Sequence, residues 1–140
     1  PLMVQTPPTI NEPEQWDVLA QFEPNDLVSF TKAATAISGN ELVTLRASEG
    51  IGGSKILEFI FGAKMEFSNK VEFIVEANHN ISEGPKIPFN SEMLKEIIHN
   101  NKGADSARIL FSQEGLLKLE FEFEEVKMKT SYYAVRKADY

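Results

Sequence analysis

The strongest constraint on this chain is an order of patterns that occurs twice. Trp16, Val18, Ala20 and Phe22 alternate with Asp17, Leu19, Gln21 and Glu23, which predicts a strand with one apolar face. Pro24 and Asn25 break it. Asn25 suits a helix cap, Asp26 suits the positive end of the helix dipole, and Leu27, Phe30, Ala34 and Ile37 follow at helical spacing toward a stop at Gly39. Three strand-like runs come next, Glu41–Ser48, Lys55–Phe61 and Lys70–Ala77, with turns at Glu49–Ser54 and Ser68–Asn69. Then the order returns. Lys86–Phe89 is short and extended, and Pro88 confines it to an edge or a strand start. Asn90 or Ser91 caps a helix carrying Met93, Leu94, Ile97 and Ile98, with Gly103 after it. Ala107–Ser112, Leu116–Phe123 and Met128–Arg136 each have strand character.

The residues support a duplication. Phe22, Leu27 and Phe30 match Phe89, Leu94 and Ile97 at an offset of 67, and Leu45, Glu49 and Gly50 match Leu110, Glu114 and Gly115 at an offset of 65. The difference, 67 − 65, assigns two residues to a shorter connection between helix and strand. Generic α+β alternation is the competing explanation. The expected organisation is a linker at 1–13, where four of the seven prolines fall, and one domain at 14–140 with repeats at 14–78 and 84–137. The Pro-rich start, with Pro rather than Met at position 1, reads as a connector cut from a longer chain, with a processed full-length protein as the alternative.

Composition excludes several classes. With 140 residues, 42% hydrophobic and 25% charged, the chain is long and apolar enough to bury a core. There is no cysteine, so disulfide frameworks, thiol catalysis and Cys-based zinc sites are ruled out. No apolar run approaches the roughly 20 residues of a membrane span. The expected location is cytoplasmic, the host cytoplasm if the source is viral. His79 and His99 lie outside any metal or triad pattern. Glu49–Lys55 (EGIGGSK) lacks phosphate-loop spacing and joins two strands, so it reads as a flexible hairpin. Glu120, Glu122 and Glu124 alternate with apolar residues as carboxylates on a solvated strand face. Asn80-Ile81-Ser82 fits the glycosylation pattern, which matters only in a secreted protein. Nothing supports an enzyme, a cofactor or a metal.

The doubled unit, ending in a strand with two adjacent aromatics, resembles one domain of a DNA sliding clamp. The likeness is to the second domain of bacteriophage clamps and, more faintly, to the proliferating-cell-nuclear-antigen family. It is carried by IPFNSEMLKEI (Ile87–Ile97), RILFSQEGLLKLEFEF (Arg108–Phe123), SYYAVRK (Ser131–Lys137) and QWDVLAQFEPNDLVSFTKAA (Gln15–Ala34). The resemblance implies an α+β, DNA-clamp-like fold. Two βαβββ repeats would share an outer antiparallel sheet and two inner helices. It also implies a processivity factor with no chemistry of its own, threaded by duplex DNA in a ring oligomer and partnered by a polymerase and a clamp loader.

Such a role needs helix faces that accept phosphates through sequence-independent, salt-sensitive contacts. Lys32 on the first helix, and Lys95, His99 and Lys102 on the second, fall off the apolar stripes and are the DNA-facing candidates. An ordinary solvated helix face is the plain alternative. The helices are neutral: Asp26 balances Lys32 over 25–38, and Glu92 and Glu96 balance Lys95 and Lys102 over 90–102. The chain as a whole stands at 14 − 21 = −7, so its acid is expected on the strands. The resemblance further implies a partner-peptide pocket bordered by Tyr133, Val135 and Arg136, with Met3, Val4 and Pro8 as its other wall. A core role for Tyr133 and Val135 remains open, since one face of a final strand must be buried. A different class of function, an α+β module binding a small ligand or protein partner, requires a pocket lined by Phe59, Phe61 and Phe73.

Overall fold

A computed structural model describes residues 16–36, 42–62 and 71–137. In β1 (Val18–Phe22) the alternation sends Val18, Ala20 and Phe22 into the core and leaves Gln21 exposed. Helix α1 (Pro24–Thr35) begins earlier than the sequence suggests. Pro24 is its first residue rather than a breaker, because a fixed φ suits the first turn and the missing N–H has no helical partner there. Glu23, not Asn25, is the cap residue, and its N–H donates to Asp26 Oδ2 at 2.9 Å. Leu27, Phe30 and Ala34 form the buried stripe. Ile37 and Gly39, the linker at 1–13 and the Ser68–Asn69 turn lie outside the described residues.

The remaining elements are β2 (Leu42–Glu49), β3 (Lys55–Phe61), β4 (Val71–Asn78), β5 (Ile87–Asn90), α2 (Ser91–Asn100), β6 (Ser106–Ser112), β7 (Leu116–Phe123) and β8 (Met128–Val135). Asn90 is the cap of α2, its Oδ1 accepting from the Met93 N–H at 2.9 Å. Glu49–Ser54 is a hairpin turn, as expected, closed by the Gly50 N–H on Ser54 O at 2.7 Å. Among the described residues, no helix is long and apolar enough to cross a membrane.

The strands form one eight-stranded antiparallel sheet in the order β5-β2-β3-β4-β1-β6-β7-β8. Each half lends its first strand to the other: β1 pairs with β6, and β5 pairs with β2. This exchange fixes the equivalence of the halves. Phe22 stands opposite Ala107 and Ala20 opposite Ile109, while Phe89 stands opposite Val43 and Ile87 opposite Leu45. Strand positions therefore match at 107 − 43 = 64 and 109 − 45 = 64, not at 65. The helix-to-strand connection is shorter by three residues, 67 − 64, not by two. A slip of one residue moves a side chain to the other face of a sheet. Leu45 faces the core, whereas Leu110 is on the outer side, packed beside Leu19 in the ladder, and Ile109 is the true counterpart. The Glu-Gly match is likewise not structural, since Glu49 ends β2 while Glu114 sits in a turn.

The sheet curls around the helices, which face one another inside it. The Phe30 ring lies 5.9, 5.0, 5.8 and 5.4 Å from the rings of Phe22, Phe59, Phe61 and Phe73. Phe59 and Phe61 are buried, so these rings fill the core and do not line the ligand pocket that a small-molecule module requires. The two seams of the curl are thin. Only Leu19 and Ala20 of β1 pair with β4, and at the far side the Lys137 N–H donates to Pro88 O at 2.9 Å.

Candidate nucleic-acid interface and docking strand

The inner surface is set by the faces that α1 and α2 turn away from the sheet. Lys32 is exposed in the last turn of α1. His99 is exposed in the last turn of α2, and Lys102 is exposed in the turn beyond it. Lys95 differs: its side chain is only 17% exposed and its Nζ lies 3.4 Å from Glu92 Oε2. An ion pair at this spacing contributes a few tenths of a kcal/mol, enough to bias where the ammonium points. A cleft of about 360 Å³ separates the helices, with Thr31 and Thr35 on one wall and Glu92, Lys95, Glu96 and His99 on the other. The structure thus brings Lys95 and His99 to one cleft and leaves Lys32 and Lys102 outside its lining. Because α2 ends at Asn100, the helix proper carries one lysine against two glutamates, a net of −1, and Lys102 restores balance only from the following turn.

Of the residues implied for a docking pocket, Met3, Val4 and Pro8 lie outside the described residues. The parity of β8 decides the alternative left open for the others. Tyr132 and Ala134 face the core, so Tyr133 and Val135 belong to the outer face, Tyr133 half-buried and Val135 59% exposed. The strand registers align Leu19, Leu110, Lys118 and Tyr133 in one outer row, and Lys118 Nζ lies 5.3 Å from the centre of the Tyr133 ring. Arg136 is exposed, yet its backbone N–H donates to Gly115 O at 2.8 Å and its stem crosses Gly115.

Three features escaped the sequence reading. Glu58 is buried on the outer side of β3, accepting from Ser48 Oγ at 2.5 Å and Arg46 Nη2 at 3.2 Å. A lone glutamate in an otherwise apolar run hid it, because a glutamate in a strand normally signals a solvated face. Glu120 is nearly enclosed between Lys118 at 3.1 Å and Arg108 at 3.7 Å, and Glu124 falls past the end of β7, so the three glutamates do not form one solvated carboxylate face. Asn101 is buried, its Nδ2 donating to Ile97 O at 2.8 Å and to the Tyr132 hydroxyl at 3.1 Å. Among the described residues, no group of three or more His, Cys, Asp or Glu side chains is placed to hold a metal.

No protein-family model and no curated protein matches the chain. Solved structures do. The chain is similar to a chain of the PCNA2–PCNA3 complex from Sulfolobus tokodaii, with a TM-score of 0.65 and 15% identity over 96% of this chain and 53% of that one. It is also similar to the proliferating cellular nuclear antigen of Entamoeba histolytica, with a TM-score of 0.63 and 17% identity over 92% of this chain and 49% of that one. The fold is that of a sliding clamp. The chain spans about half the length of the clamp chains it matches. At these identities the likeness is one of fold alone, so the candidate residues are argued from this chain's own geometry and charges.

Proposed function

We propose that this chain is a sliding-clamp domain that helps encircle duplex DNA and tether a replicative polymerase, with no chemistry of its own. The observation that carries the reading is the doubled βαβββ unit with both helices on the inner side of one curled sheet. A ring built this way presents helices to the duplex and sheets to solvent. The bacteriophage affinity belongs to the proposal, resting on the Ile87–Ile97, Arg108–Phe123 and Ser131–Lys137 segments. So do a cytoplasmic location, a clamp loader, a homo-oligomeric ring, and the docking of a client peptide beside Tyr133, Val135 and Arg136.

Ring closure is supported by the two long strands that β1 and β5 leave largely uncovered. β4 exposes Glu72 and Glu76, while β8 exposes Lys129 and is followed by Arg136, so the two edges carry opposite charge. Antiparallel pairing of such edges between copies removes both from solvent. The test is primer extension on a long template by the cognate polymerase and loader, with the intact subunit. Stimulation is expected, and Lys32→Glu with Lys102→Glu shortens the products and lowers the salt slope of DNA association by about 0.9 for each phosphate no longer neutralised. A loaded ring that leaves product length unchanged sinks the reading.

A further inference from the structure

We infer that Glu92 stands in for a DNA phosphate on the inner surface. It holds the Lys95 ammonium against α2, so that Lys95 is a reserve duplex contact and Glu92 a positioning residue that keeps it back; the inference rests on the clamp reading. Lys32, His99 and Lys102 are exposed, whereas the Lys95 side chain is only 17% exposed, although it stands off the buried stripe of α2. Two things hold it there. Its stem lines the cleft of about 360 Å³ between the helices, where the buried Ala34 and Ile98 supply apolar surface that a lysine stem can cover. Its Nζ lies 3.4 Å from Glu92 Oε2, its one ion-pair partner among the described residues.

Glu92 is well placed for this. It lies in the first turn of α2, where the helix dipole favours a carboxylate, and its side chain is 72% exposed. Across the cleft, the Thr31 and Thr35 hydroxyls donate to Leu27 O and Thr31 O, each at 2.9 Å, so their protons are spent and neither draws the carboxylate away. A carboxylate and a phosphate offer an ammonium the same ligand, an anionic oxygen at hydrogen-bond range. A phosphate therefore gains Lys95 only by displacing Glu92 and drawing the stem out of the cleft. An exposed ion pair alone is too weak to prevent that exchange. Together with the covered stem it makes Lys32 and Lys102 the first cations a duplex meets. Each lysine that meets a phosphate releases about one condensed counter-ion. Holding one lysine back keeps duplex contact light enough to slide, and Glu92 sets how light.

The experiment has two arms on the whole chain. In the first, without DNA, an amine-reactive reagent and mass spectrometry read the labelling rate of each lysine. Lys95 is expected to react more slowly than Lys32 and Lys102, and Glu92→Gln to raise its rate alone. Equal rates in the wild type overturn the inference. In the second, fluorescence anisotropy with a short labelled duplex gives the salt slope of binding. Lys95→Gln is expected to leave the wild-type slope unchanged, Glu92→Gln to steepen it by about 0.9, and the double variant to return it. Glu96→Gln is the control for general repulsion, because Glu96 lines the same cleft without an ion pair to Lys95, and its effect is expected to be the same with or without Lys95. If Lys95→Gln alone flattens the wild-type slope, or the Glu92→Gln gain persists without Lys95, this inference is overturned and the clamp reading survives. If no variant binds duplex even at low salt, both fall, whatever the labelling shows.

Discussion

Where α1 carries Ala34, the matching position after α2 carries Asn101, and where β4 carries Phe73 opposite Phe59, β8 carries Tyr132 opposite Leu119. The two halves close the same architecture with different chemistry. In the first, five phenylalanine rings gather where α1 meets the sheet, with Phe30 in edge or tilted contact with the other four. In the second, rings are fewer, and a buried amide ties the end of α2 to the last strand through the Tyr132 hydroxyl, with Thr130 Oγ1 also donating to Asn101 Oδ1 at 3.4 Å. Ring packing resists dilution of the core but tolerates small sliding. A hydrogen-bonded amide is directional and holds one registration. The directional device belongs to the half whose last strand presents Tyr133 and Val135 outward, where orientation decides what a partner meets.

The largest test of this contrast removes the hub of each half. Phe30→Ala is expected to cost about 3–5 kcal/mol in urea-denaturation stability, from lost transfer energy plus the cavity left among four rings. Its counterpart Ile97→Ala is expected to cost less, near the lower end of about 2–5 kcal/mol, because it removes a smaller side chain that makes no ring–ring contact. Equal losses would show that aromatic concentration is not what distinguishes the first half.

A sharper test acts on the polar tie alone. Asn101→Ala leaves the Ile97 carbonyl and the Tyr132 hydroxyl without their amide and is expected to cost about 1–3 kcal/mol. Tyr132→Phe is expected to cost about 1 kcal/mol, since it strands a single donor of an amide that keeps its other bond. The double variant should cost less than the sum, because each single change exposes a group that the other change removes. Strict additivity would mean that amide and hydroxyl do not act together.

What was legible in the residues divides along the same physical line. Local apolar patterning placed β3 and β7 to the residue and β2, β4, β5, β6 and β8 to within about one, because a strand's apolar run and its bounding turns are written locally. The cap at Asn90 was legible for the same reason. The start of α1 was not, because proline reads equally as a strand breaker and as a first helical residue. Strand exchange was hidden because register between distant strands leaves only a parity signal. That signal existed: Ser48 and Ser112, both buried, match at the true offset of 64. The Leu45–Leu110 match was chemically better and structurally wrong. The candidate cations were legible as positions off the apolar stripe. That Lys95 would be held by Glu92 depended on a side-chain neighbour, and that Tyr133 would face outward depended on which face of β8 the sheet buries.

The smallest test compares the two hairpins that close β2–β3 and β6–β7. Gly52 sits at φ +81° with nothing near an added Cβ, so Gly52→Ala reports the cost of the left-handed backbone alone, about 1 kcal/mol. Gly115 sits at φ +115°, and an added Cβ would lie 2.5 Å from Arg136 Cδ and 3.1 Å from Arg136 Cβ. The near end of that side chain cannot swing away without moving the backbone N–H that Gly115 O accepts. Gly115→Ala is therefore expected to cost about 1 kcal/mol more than Gly52→Ala in the same urea titration, with the excess abolished in an Arg136→Gly background. Equal costs for the two glycines would mean that Arg136 moves aside freely. The turn would then not brace the end of β8, and the orientation of Tyr133 and Val135 would rest on the Asn101–Tyr132 tie alone.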